Sequence, residues 1–86
     1  MKLADFEQRV WEVEGIRIVV RGHENDEVKD YNLKNAAMEH WSTRTFLTKR
    51  IEPRVGERKV MVIQGNGEMP HGSVLLRTLR KTYSPK

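Results

Sequence analysis

The sequence predicts a small α+β domain with a short antiparallel sheet, in the order β-β-α(-α)-β-α, and three observations carry that prediction. A period-two pattern fills residues 10–20, apolar residues recur at helical spacing over 33–51, and an apolar run fills 60–63 between turn formers. Its 86 residues fit one domain, 1–86, with no room for a second core. A chain of this size buries little more than half of its unfolded surface. With no cysteine, neither a disulfide nor a thiolate–metal site can supplement the core.

Taken in order, residues 3–9 carry a short helical pattern with Asp5 near its start. From Val10, Trp11 and Val13 alternate with Glu12 and Glu14, and then Ile16, Ile18 and Val20 alternate with Arg17 and Arg21. This alternation predicts half-buried strands and puts Glu12 and Glu14 on the wet face of the sheet. Gly15 either turns a hairpin between two strands or marks a bulge in one. A polar loop follows at 22–27.

Asp30 and Asn32 are N-cap candidates before Leu33, where Leu33, Ala37 and Trp41 fall four apart. The stripe loses phase at Thr45, and the apolar residues resume at Phe46, Leu47 and Ile51. Ser42 sits at the break. Two short helices with a turn near 40–42, the second running from about 43 to 51, therefore compete with one long helix, and the phase loss favours two. Pro53 is expected to stop the helix and to keep Glu52 out of helical geometry. Residues 59–64 read as a buried strand, and Gly65-Asn66-Gly67 as a turn. Leu75, Leu76, Leu79 and Tyr83 recur at helical spacing, predicting a last helix over 73–83. Ser73 is its candidate cap, those four side chains dock on the domain, and Arg77, Arg80 and Lys81 face outward. The tail 84–86 is expected to fray. Trp41 and Phe46 are the expected core aromatics, and Tyr83 the exposed one.

The formal net charge of +4 hides an asymmetry. Residues 1–31, the strand-rich part, hold five basic and eight acidic side chains, a net of −3. Residues 32–86, the helical part, hold eleven basic and four acidic, a net of +7. Such a split marks a candidate polyanion-facing half. The densest basic stretch comprises Arg44, Lys49, Arg50, Arg54, Arg58 and Lys59, interleaved with Ser42, Thr43, Thr45 and Thr48, whose hydroxyls suit phosphate contacts. The expected function is nucleic-acid binding, duplex DNA ahead of RNA, by occupancy and without catalysis. Arg44, Thr45, Lys49, Arg50, Arg54, Arg58 and Lys59 form the main contact, and Arg77, Arg80 and Lys81 a second one. The same cluster also reads as a solvated helix face, with Lys and Arg stems covering apolar surface. A rival reading from a different class is a small phage-type accessory or inhibitor protein that binds another protein, with the acidic first third docking on a basic partner. A homodimer is compatible with either.

Residues 36–46 (Ala36-Ala37-Met38-Glu39-His40-Trp41-Ser42-Thr43-Arg44-Thr45-Phe46), then 47–51 and Arg54 to Val60, resemble the excisionase and MerR-type winged helix-turn-helix family. In that family a helix opens with paired small residues, a Ser follows the turn, a basic recognition helix comes next, and an Arg-rich strand begins the wing. The resemblance implies that Arg44, Thr45, Lys49 and Arg50 face the major groove, while Arg58 and Lys59 approach phosphate from the wing. It spans about 25 residues. The sequence departs from the family in a short turn without the customary glycine, in the bulk of Trp41 at that corner, and in the 30-residue segment that precedes it.

Gly65-Asn66-Gly67 lacks the remaining residues of a P-loop or a dinucleotide fingerprint and reads as a turn. His23, His40 and His71 are scattered, without metal-ligand spacing. No Ser-His-Asp or Cys-His grouping stands out, so neither enzyme activity nor a cofactor is expected. No apolar run is long enough to cross a bilayer, and the first residues carry no signal-peptide core, so a cytoplasmic protein without membrane contact is expected.

Overall fold

In a computed structural model, which describes residues 1–83, the chain is a single mixed α+β domain built on a two-stranded antiparallel sheet. The first element, α1 (Leu3–Glu14), buries Leu3, Phe6, Val10 and Glu14, a stripe at helical spacing. Gly15 closes it in the left-handed region (φ 67°), its N–H donating to the Trp11 carbonyl at 2.9 Å. The strand expected over 10–14 is therefore the second half of a helix. Val10 and Glu14 continue the stripe of Phe6, and that 3.6-residue phase outweighs the local alternation of Trp11 and Val13.

Strand β1 (Arg17–Val20) alternates as expected, with Ile18 and Val20 inward and Arg17 and Val19 outward. It pairs with β2 (Val60–Ile63) in the register Arg17↔Ile63 to Val20↔Val60. Tyr83 plugs the end of this ladder. Its hydroxyl accepts from the Arg17 N–H at 3.1 Å and donates to the Ile63 carbonyl. Tyr83, expected to be the exposed aromatic, is half-buried, with its ring edge-on to Trp11 at 5.3 Å.

Residues 28–41 contain no helix, so the helix expected from Leu33, with Asp30 or Asn32 as cap, is absent. The physical reason lies in where the backbone hydrogen bonds go. The Ala37 N–H donates to a Glu14 carboxylate oxygen, and the Ala37 and Asn35 carbonyls accept from Arg80 and Arg50. Groups that a helix would pair internally are used by side chains of other elements. Of the expected stripe only Ala37 is buried, while Trp41 is half-buried at the rim of the core. The helical hairpin implied by the winged helix-turn-helix resemblance has only its second helix.

That second helix starts where the phase break placed it. Ser42 caps α2 (Thr43–Phe46), its Oγ accepting from the Thr45 N–H at 3.1 Å. The helix does not stop before Pro53. It widens into a π-helical turn (Leu47–Ile51) and continues as α3 (Glu52–Val55), forming one central helix over 43–55. In the wide turn the Glu52 N–H reaches the Leu47 carbonyl, five residues back. Pro53 then falls in the first turn of the following segment, where an N–H is not needed. The central helix buries Thr43, Phe46, Ile51 and Val55.

The last helix, α4 (Leu76–Lys81), is docked through fully buried Leu76 and Leu79, with Leu75 and Tyr83 half-buried beside them. Its cap position is Leu75 and not the expected Ser73, whose N–H and hydroxyl instead meet the His71 ring. Gly65 allows the 65–67 turn to lie on the end of this helix. A Cβ there would fall 1.6 Å from the Thr82 carbonyl oxygen. The tail 84–86 lies outside the described residues.

Candidate nucleic-acid interface

The cations expected to form one binding surface divide into two groups, and Glu14 divides them. Its carboxylate, expected on a wet sheet face, has no solvent exposure. One oxygen accepts from the Tyr31 hydroxyl at 2.5 Å and from Arg50 at 2.6 Å. The other accepts from the Ala37 N–H at 2.7 Å and from Arg80 at 3.1 Å. Arg80 also donates to the Glu14 carbonyl at 2.8 Å and the Ala37 carbonyl at 3.1 Å, and Arg50 to the Asn35 carbonyl at 2.8 Å. A buried carboxylate is costly to desolvate, and four donors offset that cost here. Burial, and then the hydrogen bond to Glu14, push the Tyr31 hydroxyl far above its ordinary range. Burial opposes the Arg50 charge, but the hydrogen bond and charge of Glu14 outweigh it and raise its pKa.

Arg50 and Arg80 are thus turned inward, with side chains only 17% and 18% exposed. This corrects the expectation that both face outward. Arg54 is half-committed: it donates to the Asp30 and Arg50 carbonyls and lies 5.4 Å from the Tyr31 ring centre. Arg58 donates to the Val55 carbonyl and approaches Asp26 at 3.7 Å. Thr45 belongs to the helix cap, with its hydroxyl accepting from Ser42. The remaining five, Arg44, Lys49, Lys59, Arg77 and Lys81, are exposed. None of their side chains has a carboxylate partner among the described residues.

Trp41 lies beside the free Lys49 of the central helix, and its backbone is bonded to the start of α4. The Lys49 ammonium lies 5.4 Å from its ring centre, with the Arg50 guanidinium at 5.5 Å. The Trp41 carbonyl accepts from the Leu76 N–H at 2.8 Å, and the Arg77 N–H donates to the Glu39 carbonyl at 3.1 Å. Arg77 and Lys81 are four apart on α4 and share a side of it.

Beside this surface an open groove of about 640 Å³ runs between the start of the central helix and the 71–73 loop. Ser42, Arg44, Leu47, Glu52, His71 and Ser73 line it. The Ser73 N–H donates to His71 Nδ1 at 3.2 Å, so Nδ1 carries a lone pair and the neutral ring bears its proton on Nε2. A second groove, about 490 Å³, shares Leu47 and Glu52 and continues to Arg58 and Lys59.

The sequence reading missed His71, Ser73 and Glu52 as groove residues and Glu14 as a hub. The 3-4-4 spacing from Leu3 to Glu14 was a readable signal for the hub. Nothing in the Pro-His-Gly-Ser run itself signals that it folds against Arg44. Among the described residues no group of three or more His, Asp or Glu side chains is placed to hold a metal ion, and no helix is long and apolar enough to cross a membrane. No protein-family model, curated protein or solved structure matches this chain.

Proposed function

We propose that this protein binds the phosphate backbone of nucleic acid, duplex DNA ahead of RNA, and acts by occupancy. The interface is narrower than the basic composition suggests: Arg44, Lys49 and Lys59 with Arg77 and Lys81. The observation that carries the reading is that these five cations are exposed with no carboxylate partner among the described residues. With sixteen basic against twelve acidic side chains, not every cation can meet a carboxylate, and Glu14 alone takes up two arginines. Of the five left free here, Lys49 lies beside Trp41. Free cations on a rigid helix release counterions when they dock on phosphates, which gives affinity at low salt. Duplex is favoured over single strands because the Trp41 ring already carries Lys49 and Arg50. A base stacking there must displace a cation. Retention of the protein on immobilised duplex DNA and on RNA, followed as salt rises from ~50 mM, tests the reading. Steep salt-dependent release is expected, and a protein that passes both columns unretained at the lowest salt overturns it.

A further inference from the structure

The two grooves along the central helix carry a charge pattern that a simple phosphate clamp does not explain. At one end Arg44 and the His71 Nε2–H offer donors to an anion. In the middle the wall is apolar at Leu47 and anionic at Glu52, and both residues line both grooves. At the other end Lys59 is a free cation, with Arg58 held toward Asp26 and Glu57 nearby on the same wall. A continuous row of phosphates is repelled by Glu52. A ligand that alternates phosphate, apolar ring with hydrogen-bond donors, and phosphate is not. Arg44 and Glu52 are eight residues apart on the helix, ~12 Å of axial rise, a span suited to one nucleotide and too long for a free phosphate.

We propose that this groove holds an unpaired nucleotide, which deepens the nucleic-acid reading and rests on it. The 5′-phosphate lies between Arg44 and His71 Nε2, the base lies against Leu47, and the donor edge of the base meets the Glu52 carboxylate. Guanine fits best, because its N1–H and exocyclic amine form the paired donors that a carboxylate accepts. Those donors are occupied in a paired duplex, so the groove selects a strand end or gap with a free base. The next phosphate in the chain continues toward Lys59.

Two 5′-phosphorylated duplexes of equal length, one blunt and one with a single-nucleotide 5′-guanine overhang, test the proposal by fluorescence anisotropy. The wild type is expected to bind the overhang about tenfold more tightly, the worth of one charge-assisted paired contact. Glu52→Gln should erase that preference without weakening blunt-duplex binding, since it removes a charge that repels phosphate. Arg44→Ala and His71→Ala should each weaken binding of guanosine 5′-monophosphate, read from amide shifts at Leu47, Gly72 and Ser73. All three side chains are exposed, so the fold tolerates these changes. Equal affinity for the two duplexes, or a preference that survives Glu52→Gln, overturns the groove and leaves backbone binding standing. Guanosine 5′-monophosphate seated at those amides by a protein that ignores both duplexes upholds the groove and overturns backbone binding.

Discussion

Arg44 and Arg50 stand six residues apart on the same central helix, and they do opposite things. Arg50 points toward α1, where the carboxylate of Glu14 holds it at 2.6 Å with Tyr31 on the same oxygen. Arg44 points into an open groove and meets no carboxylate partner among the described residues, although Glu52 shares the groove wall. The contrast repeats on α4, where Arg80 is drawn inward to the same Glu14 while Arg77, three residues earlier, is exposed. Residue type and helix are the same within each pair. What differs is the element packed opposite, so a basic stretch becomes an interface only after the arginines that the core consumes have been subtracted.

The largest effect follows from the inner set. Glu14→Ala leaves two inward guanidiniums without their counter-charge and the Ala37 N–H without its acceptor, so it is expected to cost about 3–5 kcal/mol. For a domain whose total stability is on the order of 5–15 kcal/mol, that approaches unfolding. Urea titration followed by circular dichroism reads it directly. A loss near that of a surface substitution would mean that the inner and outer arginines are not energetically distinct.

The sequence made the fold class legible because three signals survive without tertiary context. The alternation from Ile16 to Val20 and the Leu76–Leu79 stripe appear in the structure as read. The run Val60–Ile63 forms the expected strand, although only Val62 of it is buried and its other three residues are half-buried. Ser42 was also legible, since a cap acts on its own next turn. The failures share one cause. Residues 28–41 have helical spacing but give their backbone groups to Glu14, Arg50 and Arg80 from elsewhere in the chain, which no local window contains. Pro53 misled for a related reason, because a π turn can shift the register and place a proline in a new first turn. The candidate interface was legible in composition and only partly in membership. Whether an arginine is free depends on partners up to 66 residues away in sequence.

A middle-sized effect probes the hub from its neutral member. The Tyr31 hydroxyl has an ordinary pKa of 10.0 and is raised well above it in the folded chain, first by burial and then by its bond to Glu14. Below pH 10 both states keep the proton and the contribution is complete. As pH rises past 10 the unfolded chain ionises first, and stability falls progressively toward the folded-state pKa. Unfolding midpoints in urea should therefore stay level through neutral pH and decline above pH ~10. Tyr31→Phe should cost about 1.5–3 kcal/mol at neutral pH, the worth of a hydrogen bond to a charged group. It should also shrink the alkaline decline to the part due to Tyr83, whose pKa burial likewise raises. An alkaline decline of equal depth in the variant would detach Tyr31 from the hub.

The smallest stability effect belongs to the outer set, and there a small number is the informative one. Arg44→Ala and Arg77→Ala remove exposed side chains without ion-pair partners among the described residues, so each should leave the unfolding free energy within about 0.5 kcal/mol. On duplex DNA each should reduce the slope of log K against log salt by ~0.9, because one phosphate contact and its counterion release are lost. The two residues lie on different elements, α2 and α4, so the double variant should lose about twice as much slope, as independent sites add. Arg54→Ala should fall between the two sets, since its guanidinium lies over Tyr31 and holds the Asp30 and Arg50 carbonyls. It should lower stability measurably and change the salt slope little. Should Arg44→Ala instead destabilise the fold as Arg50→Ala does, or Arg50→Ala reduce the salt slope while leaving the fold intact, the division of this helix into a structural and a binding face would collapse.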